Sequence, residues 1–595
     1  MPWMPKLSHR TNLRIAIVLL GLSVWAVAAT LLLLDAKRSA DDGIEILRTT
    51  QREVTSTDLL RGEGRDAFVD AQHEFEQAQS SASNPMLFPL KWLPVIGRQV
   101  RSVEALASAA SDTLDVGIRA LDDTSDVIDK TGTKGPARVA LAARLGSIAA
   151  SASIELDSVD LGPDKHLFGP LQRAHDHMRE EYDNIRDAME GLSAAGIGLS
   201  EFLGGPSRYL VFAANNSEMR MGSGAFLSVG VLEVEDGSFS LGKMESTEDL
   251  AVPRGAVEFA DADFKARWQF AEPTEDFREV ATTTRFDVVA PHALAMWEEL
   301  RGEKLDGVLV IDPIALESLL KVTGSVKVEG KEYSEANVVH EIFLEQYKEL
   351  EGQGQSEQIH RRDRLSKIAR AAIDALETRD WDAVDLLQAL RPTVAGRHFL
   401  AFSGHDLQQR GWIGAGISGI TEPDSITFGL QNRGGNKLDQ FVVAEARINA
   451  GRIHGLSRNM TIDVTLTNLA PLELPRYVEG PYPTTPRAAA GKYQGWLTFE
   501  LPKTARNNFI EVDGVAVPLV AAGSDGPNHR VVSALVEFER GTTVTASIHF
   551  ELASRVESIY INPGARVPAV QWLEPGGLVL DDAKGRRVNL DSSSD

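Results

Sequence analysis

The chain has 595 residues, 43% apolar and 25% charged, too many for one hydrophobic core, so roughly three or four domains are expected. Lys plus Arg is 61 against 85 for Asp plus Glu, a net charge of −24; this excludes a general nucleic-acid binder, which needs a basic face. There is no cysteine, which excludes disulfide scaffolds, zinc–cysteine sites, iron–sulfur clusters and cysteine nucleophiles.

Residues 1–14 carry Lys6, His9, Arg10 and Arg14 and read as a cytoplasmic N-terminus. Ile15–Leu34, IAIVLLGLSVWAVAATLLLL, has no charge and is long enough to cross a hydrocarbon layer of about 30 Å as a helix. The basic flank before it, and the mixed Asp35, Lys37, Arg38, Asp41 and Asp42 after it, orient the chain with its bulk outside the cytoplasm. Ala26-Val27-Ala28 also resembles a signal-peptidase site, but Thr30–Leu34 carries the apolar run beyond it. The expected localisation is a single-pass cell-membrane protein held in the bilayer by Ile15 to Leu34.

Residues 35–200 are expected to form an extracytoplasmic helical stalk or bundle. The interval 37–83 has no proline and few glycines. NPMLFPLKWLPVIG (84–97) breaks the helix with three prolines and a glycine. Its apolar character suits either a loop tucked against helices or a contact with lipid or a partner. Val103, Leu106, Ala110, Leu114, Ile118 and Leu121 then repeat at helical spacing, and helices follow at about 135–156 and 165–200.

Residues 201–400 alternate strands and helices, the pattern of an α/β domain. RYLVFAA (208–214) is a strand, followed by NNSEMRMGSGAF (215–226). Asp236-Gly237 marks a hairpin. DGVLVIDP (306–313) reads as a buried strand, and IALESLLKVTG as a helix ending at Gly324. A helix is expected over 334–351 with Ser334 as its N-cap. Residues 401–580 consist of short strands divided by Gly, Pro, Asn and Asp, a β-sandwich-like pattern, and 581–595 read as a frayed tail. The expected fold is thus multidomain α and β, with an N-terminal transmembrane helix, a helical stalk, an α/β domain and a C-terminal β-sandwich-like domain.

Motifs for catalysis are missing. His340-Glu341 is not followed by x-x-H, no G-x-S-x-G occurs, and Gly222-Ser223-Gly224 runs into a strand and not into a helix N-terminus. What remains is a set of arginines and acids at strand ends. Arg220, Arg254, Arg278 and Arg285 are candidate phosphate ligands, since a guanidinium grips phosphate oxygens bidentately. Asp287 and Asp312 are candidate metal ligands, with Mg²⁺ the ion such carboxylates would hold beside a phosphate. The ordinary reading of the same residues is structural, with Arg220 paired to Glu218 or a carbonyl and bracing its turn.

NNSEMRMGSGAFLSVGVLEVEDGSFSL, DGVLVIDPIALESLLKVTGSVKV, RGGNKLDQF (433–441), NLAPLELPRYV and PLKWLPVIG together resemble the bacterial, largely actinobacterial, family DUF4012. The order of strand, arginine turn, hairpin, Asp-bearing strand and Leu-rich helix is also remotely similar to the LytR-CpsA-Psr phosphotransferases, although the S-I-P-R-D signature is replaced by Val252-Pro253-Arg254-Gly255. The second resemblance implies an envelope protein that binds polyprenyl-pyrophosphate-linked glycopolymer, or transfers it with arginines, acids and Mg²⁺. The alternative is a non-catalytic envelope scaffold or a module binding glycan or envelope proteins. Convergence of the four arginines on one cleft would favour the first reading, and local pairing of each would favour the second.

Overall fold

The computed structural model describes residues 9–349, 351, 355–481 and 489–590. The side chains of 9–22, 56–57, 355–360 and 362–363 lie outside the described residues, as do residues 1–8 of the expected cytoplasmic N-terminus and 591–595 of the expected tail. The chain is of mixed class, with many helices and four sheets. It divides into two compact units, residues 1–131 with 143–196, and residues 132–142 with 197–595.

The first unit is helical. Helix α1 (His9–Glu53) runs through the expected anchor without a break. Among its described residues Ala29, Ala36, Gly43 and Thr50 are buried. These small residues recur every seven positions, the spacing that keeps one seam facing a neighbouring helix. The neighbour is α2 (Arg65–Ser83), whose Ala71, Phe75, Ala78 and Ala82 are buried. A Cβ at Gly43 would stand 3.0 Å from the Phe75 ring, which explains the glycine there. Helix α3 (Ile96–Lys130) lies against α2, tied by Gln79 to Ser108 at 3.0 Å and by a bidentate Arg65–Asp122 pair. Two further helices, α4 (Pro136–Leu156) and α5 (Gly169–Gly204), follow; the part of each in this unit joins α3 around Ala109, Val116, Ala152, Leu156 and Tyr182.

One helix among the described residues, α4, is long and apolar enough to cross a membrane. It is not the N-terminal segment expected to do so; its Leu141, Ala142, Ala149, Ala152 and Leu156 are buried, while Ile154 is exposed. The expected anchor lies within α1, where the described Val24, Val27, Leu31 and Leu34 are 57–63% exposed.

The second unit starts with a six-stranded sheet. Strands β1 (Ser207–Met219), β2 (Gly224–Glu235) and β3 (Ser238–Leu241) form a meander. Helix α6 (Phe286–Arg301) then leads to β4 (Gly307–Ile311), which pairs parallel to β1. Helix α7 (Pro313–Thr323) follows, then α8 (Gln355–Thr378), α9 (Ala383–Ala395) and β5 (Phe399–Ser403), which closes the order β3-β2-β1-β4-β5, the short strand Glu245–Ser246 pairing with β2 as the sixth. Strand β5 spans the boundary expected at 400. The central strands are buried on both faces, as a sheet covered on each side requires. Leu210, Phe212, Val308 and Val310 meet Phe286, Val289 and Ala293 of α6. Tyr209, Val211 and Leu309 meet Phe202 and Trp412 on the other face.

The helix expected to start at Ser334 starts at Val338 instead. Asn337 Oδ1 accepts the Ser334 N–H at 2.8 Å, so the side chain closes a turn that delays the helix. The tight turns sit where expected, with φ of 50° at Asp236 and 76° at Gly237, and Gly324 ends α7 with φ of 81°.

A six-stranded and a seven-stranded sheet complete this unit. They share one core, with Phe428, Leu497, Phe499 and Val532 from one sheet and Ile448, Ile462, Val464 and Ile548 from the other. Strand Ser425–Asn432 is buried at every residue. Its outer face abuts β1, and a Cβ at Gly429 would stand 2.6 Å from Met221 Sδ. The α/β sheet and the sandwich are thereby packed into one body.

Candidate functional site

The loop 215–226 is the turn between β1 and β2. The Arg220 N–H donates to Ser223 O at 2.8 Å, and the Gly222 N–H donates to Ala281 O at 2.9 Å. A Cβ at Gly222 would lie 2.4 Å from Thr283 O, and one at Gly224 2.3 Å from Asn215 C. Close backbone approach therefore explains both glycines, with no need of a phosphate cradle.

Arg220 is 3% exposed. Its Nη2 and Nε donate to the two oxygens of Glu279 at 2.7 and 3.2 Å, and its Nη1 donates to Met219 O and Asn432 O at 3.0 and 3.3 Å. Glu218 stands 3.6 Å away and takes Lys437 Nζ at 2.8 Å. Arg433 Nη1 adds to Glu279 at 2.6 Å, with its guanidinium 3.6 Å above the Trp496 ring. Burial raises the Glu218 carboxyl, but Lys437 and Arg220 outweigh it and bring it down to about 2. Burial works against the Arg220 charge in turn, and Glu279 and Glu218 hold its pKa raised. Beside this network Asp439, 0% exposed, accepts the Met219 N–H, Asn432 Nδ2 and the Tyr493 hydroxyl at 3.1, 2.8 and 2.8 Å.

The other arginines are paired too. Arg278 embraces Asp276, with Nη2 to Oδ2 at 2.7 Å. Arg254 is on the surface and pairs with Glu272 and with Glu275, the latter at 3.1 Å. Arg285 faces Asp261, Asp525 and Asp287 at 2.8, 3.4 and 3.6 Å. Asp287 is the half-exposed outer member of that set. Asp312 commits both of its oxygens. Oδ1 caps α7 by accepting the Ile314 and Ala315 N–H groups at 2.9 and 3.1 Å, and Oδ2 accepts Asn216 Nδ2 at 2.7 Å and meets His398 Nδ1 at 2.5 Å. The structure thus distributes the four arginines among local carboxylates. Among the described residues no three His, Asp or Glu side chains are grouped to hold a metal ion.

The threonine run 282–284 lies at the seam between the α/β sheet and the sandwich. Thr283 Oγ1 donates to Asp525 at 2.8 Å and Thr284 Oγ1 to Glu500 at 2.5 Å. Burial, with Glu500 nearby, pushes the Asp525 carboxyl up to about 7 against the pull of Thr283 and Arg285. In the sequence Glu218 was named as a partner of Arg220, whereas Glu279, Arg433, Lys437, Glu500 and Asp525 were not singled out. RGGNKLDQF stood out there only as a family-like run, although it supplies Arg433, Lys437 and Asp439.

The second feature is a cavity of about 260 Å³ between the Val211 face of the sheet and helices α7, α8 and α9. Val211 and Ile311 form its floor, and Leu316, Ala369, Ala372 and Leu390 its opposite wall. Its polar side chains are few, Asn215, Ser228 and Asp312. It approaches the roughly 300–1,000 Å³ range of small-molecule sites, and none of its lining helices carried a catalytic motif in the sequence.

Residues 204–347 match the family model described as "Protein of unknown function (DUF4012)". No curated protein matches the chain. A solved structure from Legionella pneumophila, described as that of a "putative nutrient binding protein", is similar over 26% of this chain and 54% of that one, about half its length. The identity is 8% and the TM-score 0.16, values that carry no argument about fold or ligand. The similarity to LytR-CpsA-Psr phosphotransferases has no counterpart in these matches. From the end of α5 through β1, its arginine turn, the hairpin and the Asp312-capped helix, this chain carries a DUF4012 domain over residues 204–347.

Proposed function

We propose that the protein is a single-pass membrane-anchored, extracytoplasmic envelope protein that binds the long apolar chain of a lipid, isoprenoid or acyl, without transferring it. One observation carries this reading, the apolar cavity beneath α7, α8 and α9. Its lining is almost wholly apolar, so an apolar occupant is favoured over water. Each buried methylene contributes about 0.8 kcal/mol, so even a short stretch of hydrocarbon would bind there favourably. The full pairing of Arg220, Arg278 and Arg285 supports binding over phosphoryl transfer, because a phosphate would have to displace carboxylates already bonded to them.

A polyprenyl-pyrophosphate-linked glycopolymer is one source of such a chain, and a phospholipid or free fatty acid is another. Native mass spectrometry of the full-length protein extracted in mild detergent distinguishes them by the mass of what co-purifies. The Ala369→Trp variant, which fills the cavity from α8, is expected to lose the bound species while keeping the thermal unfolding of the wild type within a few degrees. Wild-type protein that carries no lipid and takes up neither a prenyl nor a fatty-acyl probe would sink the reading.

A further inference from the structure

The break at 84–97 is a built reversal. Asn84 Oδ1 accepts the Met86 N–H at 3.0 Å, a turn at Pro85–Leu87 and a short helix at Phe88–Lys91 follow, and a Cβ at Gly97 would stand 2.3 Å from Lys91 O. One side of the reversal is internal. Leu87 and Leu90 pack with Ala29, Leu32, Leu33 and Val100. The other side is open, with Phe88 59%, Trp92 77% and Val95 57% exposed.

Its level along α1 is fixed by two contacts. Ser81 Oγ donates to Asp35 at 2.7 Å, and Trp25 Nε1 donates to Met86 O at 2.8 Å. The reversal therefore lies beside the middle of the apolar stretch of α1, about 15 Å along the helix from Asp35 at ~1.5 Å per residue. At this level of α1 Val24, Val27 and Leu31 are exposed as well.

Its polar groups are handled as a low-dielectric surrounding demands. Besides the bond to Met86 O, Arg101 Nη1 donates to Lys91 O at 2.8 Å. Lys91, the one charge within 84–97, turns its ammonium to Glu104, 2.6 Å away on α3. Arg98 and Arg101 follow on the first turns of α3, roughly 3–8 Å above Ile96 at 1.5 Å per residue. Both are engaged within the protein, Arg98 Nη1 donating to Lys165 O at 3.1 Å and Arg101 to Lys91 O.

From this shared level and the exposed apolar side we propose that residues 84–97 form a wedge inserted in the bilayer leaflet on the side of the helical unit. Phe88, Trp92 and Val95 sit in the acyl region near the level of Trp25, about 15 Å along α1 from Asp35. The inference rests on α1 being the anchor. The occupant of the apolar face is the phospholipid bilayer and not a second protein chain.

The absence of native cysteine makes the test direct. Full-length Phe88→Cys and Trp92→Cys variants, spin-labelled in phosphatidylethanolamine–phosphatidylglycerol vesicles, are compared for collision with oxygen and with a water-soluble nickel chelate. Val27→Cys serves as the anchor reference and Glu63→Cys as the aqueous one. Labels at 88 and 92 are expected to favour oxygen several-fold over nickel, as at 27. Nickel access at 88 and 92 with oxygen preference at 27 would overturn the wedge and leave the anchor standing. Nickel access at all three would overturn both. Shielding of 88 and 92 from both agents would place protein on this face and overturn the proposal. Agreement between the two loop positions guards against a local effect of either substitution.

Discussion

Replacing Lys437 by methionine removes the ammonium that holds Glu218 in the buried network. The two groups are 2.8 Å apart and their side chains are 2% and 11% exposed, so water cannot take over the role. Breaking one partner of a buried pair costs about 3–5 kcal/mol, because the other charge is left uncompensated. An independent magnitude comes from titration. Glu218 falls from its usual 4.5 to about 2, and at about 1.36 kcal/mol per pH unit the network is worth on the order of 3 kcal/mol to this one carboxylate. Because the folded value is depressed, that stability is present above pH 4.5 and is lost as pH falls toward 2. Lys437→Met should therefore lower the stability of the second unit by about 3 kcal/mol at pH 7. The double variant Glu218→Gln/Lys437→Met should recover about half of this, since a neutral pair of similar shape leaves no stranded charge. Urea unfolding of the full-length protein in detergent, followed by tryptophan fluorescence, reads both; urea is chosen because guanidinium would screen the pair. A loss below about 1 kcal/mol, or a double variant whose loss equals the sum of the singles, would refute the claim that these charges are coupled.

Two further outcomes follow from the same chemistry. Asp525 has a folded pKa of about 7 against an ordinary 3.8, so the stability from its protonation is complete below pH 3.8 and is lost as pH rises to about 7. Asp525→Asn should flatten the pH dependence of thermal unfolding across that window and unfold later than wild type at pH 8, and an unchanged slope between pH 4 and 7 would contradict this. Asp312→Ala removes the α7 cap, worth about 0.5–2 kcal/mol, and strands Asn216 and His398. Burial disfavours a charge on His398, but Asp312 holds its pKa above the ordinary 6.5, so the ion-pair share of this loss is present below pH 6.5 and fades as pH rises through the folded value. The total, about 3 kcal/mol at pH 6, should be smaller at pH 9, and a loss that does not change with pH would show that the pair is not charged.

Much of this architecture was legible along the chain because it is set by neighbours in sequence. The hairpin at Asp236-Gly237, the end of α7 at Gly324 and the reversal at 84–97 depend on backbone conformations that particular residues favour or forbid. The period of the Leu and Ala positions located the helices of the first unit, and the change to short strands after residue 400 located the sandwich. Where local reading failed, a local competitor was responsible. Asn337 closes a turn on Ser334 and delays the helix expected there.

The candidate site was another matter. That Arg220 sits in a turn was plain from NNSEMRMGSGAF; that its partner is Glu279, 59 residues on, was not, nor that Glu218 meets Lys437 across 219 positions. The arginines offered for phosphate are occupied by carboxylates that folding of the α/β segment brings to them, Glu279 to Arg220 and Asp261 to Arg285, with Asp525 of the sandwich added to Arg285. The cavity beneath α7, α8 and α9 likewise needs three helices and a sheet face at once. Backbone preference and hydrophobic period act over a few residues and can be read in order. Charge pairing and the shape of an enclosed space depend on which distant segments come to lie side by side, and only the folded chain decides that.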